Sequence, residues 1–453
     1  MKEYDVIVIG AGEGLGAAFK AQAAGLKVAL VDKGKLGGTC LNVGCIPSKM
    51  LIHCADVIAT IQEASKLGIH ADITGIDFEA IMQRMRNNVA QGRGYIEDAL
   101  KESEGLDLYN AEAHFVSDYT LNVAGERIRG KKILIASGAR PLIPPLKGLS
   151  SIEYLTNENV LELNRKPESM IIVGGGYIAV EYGHFFAAMG TKVTLLQHNH
   201  RLVPYEEPEI SELLRKELSK RMAIQTGVDI LEAGRSGGGY SVRFRQRDSG
   251  KEQQLTAEKI MVATGRISNA DLLKVENTGV GTNASNFIKV DDYLATTKEN
   301  IWAYGDAIGR QMFTHAGDKE SGIAWHNANH DDKRKMNFNT VPHAVYTHPQ
   351  IASIGLTEEQ ARKDHEVLVG KARYLDVAQG KAMMDVNGFA KVIVDKDTRL
   401  ILGFHIVGPE ASILIQEVIN AVADERPMES ITNAMHIFPA LSEIITETLN
   451  NLE

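Results

Sequence analysis

Val6-Ile7-Val8-Ile9-Gly10-Ala11-Gly12-Glu13-Gly14-Leu15-Gly16 is the stretch that decides the fold. Residues 6–9 form a continuous β-branched run, the pattern of a strand buried on both faces of a parallel sheet. The glycines open a helical stretch that runs to Gly25, and residues 27–31 read as a second strand closed by Asp32. Strand, glycine turn, helix and second strand, with an acid about twenty residues past the glycines, make a dinucleotide-binding unit. N–H groups at the helix start face a pyrophosphate, and the acid takes the ribose hydroxyls. The third fingerprint position is Leu15, where glycine or alanine is usual, so close packing of helix on strand is in doubt there.

The unit recurs. Met170-Ile171-Ile172-Val173 leads into Gly174-Gly175-Gly176-Tyr177-Ile178-Ala179, a helix through Phe186 and a strand over residues 192–196. Two such units imply two dinucleotides. Each is followed by a strand ending in a small-residue turn, Ile133-Leu134-Ile135-Ala136-Ser137-Gly138 and Ile260-Met261-Val262-Ala263-Thr264-Gly265-Arg266. Apolar residues at helical spacing predict covering helices over 50–66 and 78–101. Gly237-Gly238-Gly239 has no helix behind it and reads as a hairpin turn. The run Asp331-Asp332-Lys333-Arg334-Lys335 mixes both signs and reads as a solvated loop. From about residue 341 the pattern is strand-rich, then helical.

Gly37-Gly38-Thr39-Cys40-Leu41-Asn42-Val43-Gly44-Cys45-Ile46-Pro47-Ser48-Lys49 carries the chemistry. A dithiol that cycles needs a second thiol within bonding reach and an environment that favours the thiolate. Two cysteines five apart meet on a distorted first helical turn, whose free N–H groups lower a thiol pKa. The alternative is two unrelated buried thiols. Cys54, on the helix that follows, reads as a packing residue.

Composition bounds the rest. A chain of 453 residues divides into two to four domains. A net charge of −9 argues against nucleic acid and anionic membranes as partners. Three cysteines, two of them in one motif, leave no structural disulfide framework. The N-terminal apolar run is short, holds Asp5 and ends in glycine rather than a cleavage site. No apolar stretch of membrane-spanning length is read, no metal site is expected, and the cytoplasm is the expected location.

Several motifs in order resemble the pyridine nucleotide-disulfide oxidoreductases, and dihydrolipoamide dehydrogenase in particular. The thirteen residues above resemble that family's redox-active disulfide. Ile301-Trp302-Ala303-Tyr304-Gly305-Asp306 resembles its second flavin motif, and Met312-Phe313-Thr314-His315 the stretch lining the flavin. Val341-Pro342-His343-Ala344-Val345-Tyr346-Thr347-His348-Pro349 resembles the opening of its dimerisation domain.

The resemblance implies an α/β fold with two Rossmann-like domains, for FAD and NAD(P), and a C-terminal α/β dimerisation domain. The expected division is 1–147 (FAD), 148–268 (NAD(P)), 269–340 (completing the FAD domain) and 341–453 (dimerisation). Cys45 would exchange electrons with the flavin and Cys40 with the substrate disulfide. Lys49 would lie by the flavin, where a cation stabilises the reduced ring, paired with Glu181. FAD would be held by Gly10, Gly12, Gly14, Asp32, Lys33, Gly38, Thr39, Lys49, Ala113, Ser137, Gly138, Asp306, Met312, Phe313, Thr314 and His315. NADPH or NADH would be held by Gly174, Gly176, Tyr177, Ile178, Glu181, Gln197, His198, Arg201 and Gly265. The expected assembly is a homodimer acting on a small-molecule or protein-borne disulfide, such as a lipoyl domain.

Two departures stand out. His436-Ile437-Phe438-Pro439-Ala440-Leu441-Ser442-Glu443 keeps the orienting Glu443 but has Phe438 where the family's acid–base histidine falls. His436, two residues earlier, is either a displaced base or a packing histidine. Phe-Pro there resembles mercuric reductases, but the C-terminal vicinal cysteines of those enzymes are missing, which disfavours mercury as substrate. The second departure follows residues 192–196, where Gln197-His198-Asn199-His200-Arg201 offers no carboxylate against a 2′-phosphate; the alternative is that Gln197 bonds the NAD ribose. Alternative functions are reduction of a non-dithiol acceptor (quinone, oxidant or metal ion) and a non-catalytic subunit of a lipoyl complex. A purely structural subunit needs neither cysteine.

Overall fold

In the computed structural model, which describes residues 1–453, the first glycine loop joins strand Lys2–Ile9 to helix α1, Gly14–Ala23. Val28–Val31 returns parallel to the first strand, Val6 opposite Val28. A Cβ on Gly14 would stand 2.9 Å from Val8 Cγ1. Gly14 therefore takes the close helix–strand contact that Leu15 put in doubt, and Leu15 is left half-buried.

The residues form two units. The first comprises Met1–Pro47, Gln83–Leu142 and Gly265–Phe338. Its seven-stranded sheet has Leu106–Tyr109, Val28–Val31, Lys2–Ile9, Glu126–Ile135, Thr120–Val123 and Ala113–Ser117 side by side, with Ile301–Ala303 also on Glu126–Ile135. Lys2–Ile9 and Val28–Val31 carry the buried apolar runs, and Thr120–Val123 joins Glu126–Ile135 antiparallel with Ala113–Ser117 beyond it at the edge. Along the chain follow helix α2 (Gly38–Val43), helix α3 (Cys45–Glu63), which belongs to the second unit from Ser48 on, and helix α4 (Phe78–Lys101), which belongs to the first from Gln83 on.

The second unit comprises Ser48–Met82, Ile143–Thr264 and Asn339–Glu453. It repeats the parallel arrangement in four strands, Ala223–Thr226, Lys192–Gln197, Ser169–Val173 and Lys259–Val262, with helix α5, Tyr177–Ala188, leaving the second glycine loop. Val228–Ser236 and Gly239–Gln246 form the hairpin expected at Gly237-Gly238-Gly239. The C-terminal part is a five-stranded antiparallel sheet (His343–Val345, Gln350–Gly355, Ile401–Gly408, Phe389–Asp395, Val367–Arg373). Tyr374, Phe404, Ile406, Ile444 and Ile445 fill its core. In the same unit Lys391, 4% exposed, meets Glu207, Glu209 and Glu358 at 2.9, 3.1 and 2.7 Å.

One expectation is corrected by helix length. Gly38–Leu67 is long and apolar enough, by length and composition alone, to cross a membrane. Leu51, Ile52, Ala55, Ile58 and Ala59 on one face are buried in the protein while Ile46, Val57 and Leu67 are exposed, the pattern of an amphipathic covering helix.

Candidate active site

The two thiols lie on two helices rather than on the single distorted turn read from their spacing. α2 ends at Gly44 and Cys45 opens α3. A Cβ on Gly44 would stand 2.8 Å from the Thr39 carbonyl oxygen and 3.2 Å from Cys40 Cα, so glycine is what lets the chain break here and bring Cys45 back to Cys40. No disulfide joins them; Cys45 is exposed and Cys40 half-buried, and they share a hydrogen bond. The Thr314 hydroxyl lies 3.6 Å from Cys45 Sγ and also bonds Cys40.

The Cys40 thiol is pushed above its ordinary value, first by the hydrogen bond to Cys45 and then by burial, with Thr314 pulling the other way. The depression expected from helix-start N–H groups is therefore reversed at Cys40. Two thiols sharing one proton ionise in sequence, and the second anion is the harder to form. Cys54, half-buried, turns its sulfur to the Met50 carbonyl.

In the first unit, the glycine loop is clasped by the acid that closes the βαβ element. Asp32 accepts the Ala11 and Gly34 N–H groups, each at 2.6 Å. Lys33 points to Glu112 at 3.9 Å, both well exposed, and Ala113 starts the next strand. Thr39 is on the first turn of α2 beside Gly38. Ser137 Oγ, in the turn after Glu126–Ile135, is buried without a hydrogen-bond partner, and Gly138 follows it. Phe313 stacks on His315 at 5.7 Å, next to the partly exposed Met312. An unpartnered buried hydroxyl and a clasped glycine loop leading into a helix fit FAD in this unit.

Three ionisable groups here, Arg266, Glu320 and Glu13, went unread in the sequence, and Glu320 is fully buried. Arg266 lies 3.2 Å from Asp306, whose carboxyl is nonetheless held above its ordinary range by burial. Glu320 accepts the Gly305 N–H at 2.6 Å; burial pushes it up to about 7, and its other oxygen is buried without a partner. Glu13, inside the glycine loop, is likewise pushed up to about 7 by burial, with Asp306 adding to it. Glu13 alone had a signal, an acid where a phosphate-binding turn ordinarily carries a small residue.

In the second unit, Gln197 lies against the backbone of Gly175, between Gly174 and Gly176, and donates to the Arg201 carbonyl at 3.1 Å. His198 Nδ1 is 3.0 Å from Asp229. A carboxylate does stand by this loop, contrary to the reading from 197–201, because the neighbouring strand Val228–Ser236 supplies it. Tyr177 opens α5, ahead of Ile178, and stacks on His343 at 5.7 Å. It donates to buried Glu206 at 3.2 Å, a carboxylate also held by His343 and Ser353 at 2.7 Å each. Gly265 belongs to the first unit by its packing.

Lys49 and Glu181, 132 residues apart, form a salt bridge of 2.8 Å in the second unit. Glu181, with its side chain 8% exposed, accepts the Tyr346 N–H on its other oxygen at 2.9 Å. The Lys49 ammonium stands 4.6 Å from the centre of the Tyr346 ring, a cation–π contact. At the C-terminal segment Phe438 is 74% exposed. His436 Nε2 lies 2.8 Å from Glu417 and its Nδ1 3.1 Å from the Ala434 carbonyl. Glu443 instead accepts the Ala440 N–H at 3.1 Å.

A family model described as pyridine nucleotide-disulphide oxidoreductase matches residues 4–330, and one for its dimerisation domain matches residues 341–449. Mycothione reductase of Mycobacterium tuberculosis is 34% identical over all of both chains. Mercuric reductase of Staphylococcus aureus is 33% identical over 97% of this chain and 81% of its own. Dihydrolipoyl dehydrogenase of Bacillus subtilis is 32% identical over 98% of this chain and 97% of its own. Among solved structures, the HOCl-induced flavoprotein disulfide reductase RclA from Escherichia coli superposes with a TM-score of 0.87 at 28% identity, covering 99% of each chain.

Proposed function

Because the chain belongs to the pyridine nucleotide-disulphide oxidoreductases, which use FAD and NAD(P)H, we propose that it is an NAD(P)H-dependent disulfide oxidoreductase of dihydrolipoyl dehydrogenase type. The observation that carries this reading is the Cys40–Cys45 pair, two hydrogen-bonded thiols with the Thr314 hydroxyl beside them. In this reading residues 1–147 and 269–340 serve FAD, 148–268 serve NAD(P)H and 341–453 form the homodimer.

FAD, when bound, carries two electrons between NAD(P)H and the cysteine pair. The rest of the chemistry belongs to the chain. The Cys40 thiolate attacks one sulfur of the substrate disulfide and expels the other as a thiolate. Cys45 then attacks the Cys40 sulfur, which closes the Cys40–Cys45 disulfide and releases the second substrate thiolate. Each departing thiolate takes one proton. Thr314 donates to whichever sulfur is anionic, and Lys49, held by Glu181, places a positive charge where electrons arrive. Anaerobic titration tests the scheme. The wild type takes up about two equivalents of NAD(P)H, one for the flavin and one for the disulfide, and Cys45→Ser about one. Uptake of one equivalent by both proteins would sink it.

A second reading, reduction of a non-dithiol acceptor, is favoured by exposed Phe438 at the position where the resemblance calls for a base. Comparing lipoamide, low-molecular-weight disulfides, quinones and metal ions as acceptors separates the two.

A further inference from the structure

Helices α3 and α5 are tied twice in the second unit, and only the first tie, Lys49 to Glu181, belongs to the site above. Two turns beyond Lys49 on α3, Asp56 Oδ1 meets His184 Nε2 at 3.0 Å; His184 is one turn beyond Glu181 on α5. The His184 side chain is fully buried, whereas that of Asp56 is 29% exposed. His184 Nδ1 is buried without a partner, so the imidazole is held by Asp56 alone among hydrogen-bond partners. Its ring lies 6.4 Å from that of His348 and nearly parallel to it. His348, two residues past Tyr346, contacts Glu63 at 3.2 Å, and Arg221 reaches the same Glu63 oxygen at 2.7 Å.

The arrangement is lopsided. Glu181 is satisfied by two donors at the Lys49 end, while the other end hangs on one carboxylate–imidazole bond between α3 and α5, its imidazole fully buried. Residues three and seven apart on a helix share a face, so Asp56 and His184 fix the spacing of the same two faces that present Lys49 and Glu181. The chain from His348 to Tyr346 ties the aromatic ring under the Lys49 ammonium to the same cluster.

We propose that Asp56 and His184 are a positioning pair, which sets the separation of α3 and α5 and thereby the placement of the Lys49 ammonium. The inference rests on the role given to Lys49 above. Without the clamp α3 shifts, and a misplacement of about 1 Å costs up to about 10²-fold in a positioned reaction.

The test measures flavin midpoint potential and the stopped-flow rate of flavin reduction by NAD(P)H in the FAD-loaded homodimer. Asp56→Ala is expected to move the potential negative and slow reduction about tenfold or more. Asp56→Asn, which still bonds the imidazole, restores both to within about twofold. In a Lys49→Met background Asp56→Ala is expected to add nothing, the non-additivity of a residue that acts through another. If the alanine variant does not fold, Asp56→Ser carries the same comparison. If Lys49→Met leaves potential and rate unchanged, the role of Lys49 falls and this proposal with it. If Lys49→Met lowers both while Asp56→Ala leaves wild-type values, or adds its full effect on top of Lys49→Met, the clamp alone is refuted.

Discussion

Phe438→His puts an imidazole where the C-terminal segment carries a 74% exposed phenyl ring. A positioned general base contributes about 10²–10⁴-fold, roughly 3–5 kcal/mol of barrier. The existing histidine does not supply it. His436 has one ring nitrogen 2.8 Å from Glu417 and the other 3.1 Å from the Ala434 carbonyl, so both face oxygens of its own chain. Nor is Glu443 oriented toward His436; its carboxylate caps the Ala440 N–H. An exposed side chain is replaced at a cost within about 0.5 kcal/mol, so the variant folds and the comparison is clean. We expect disulfide turnover to rise at least about tenfold, short of the full 10²-fold because Glu443 has to leave Ala440 to orient the ring. Flavin reduction by NAD(P)H, measured by stopped flow, stays unchanged, because no thiol proton moves in that step. His436→Ala leaves both rates near wild type. Fast lipoamide turnover in the wild type, untouched by either substitution, would refute the reasoning that this segment limits proton transfer.

Lys391→Met removes the buried cation that Glu207, Glu209 and Glu358 share, leaving Lys371 on Glu209 and Arg362 on Glu358. Breaking the buried Lys391–Glu207 pair costs about 3–5 kcal/mol, and a loss under about 1 kcal/mol by urea denaturation would mean that Lys371 and Arg362 hold the carboxylates without it. Glu320, held up to about 7 by burial, binds its proton more tightly folded than unfolded. It therefore stabilises most below the ordinary carboxylate range, and that contribution is lost as pH rises through 7. The FAD-free protein should melt higher at pH 5 than at pH 8, and Glu320→Gln should flatten that difference; an unaltered pH dependence in the variant would assign it elsewhere. NADPH should serve at least as well as NADH, and a kcat/KM favouring NADH by more than about tenfold, ~1.4 kcal/mol, would overturn this. Asp229→Asn should raise the NADPH preference by up to about fivefold, the scale of one exposed charge.

Local chemistry made much of this protein legible in one dimension. A parallel strand buried on both faces must be a continuous apolar run, and a helix that starts at a phosphate must start with glycine, so both Rossmann units stand in the sequence at 6–32 and 170–197. The cysteine pair is legible for the same reason, since its partners are five residues apart. Asp229 beside His198, Arg266 on Asp306, Glu320 under Gly305 and the clamp of Asp56 on His184 are of another kind. Each joins residues between 15 and 128 positions apart on elements that packing alone brings together. Each charge looks like a solvated surface residue until the fold supplies its partner, and Glu320 and His184 are buried outright. Gly14 taking the role of Leu15, and the break at Gly44 that turns one expected helix into two, were likewise decided by the atoms of distant residues crowding against the backbone. Sequence determined where the two βαβ units and the cysteine pair stand; tertiary structure decided which charges face one another, because a carboxylate's partner and its burial are properties of the packed interior, not of its neighbours along the chain.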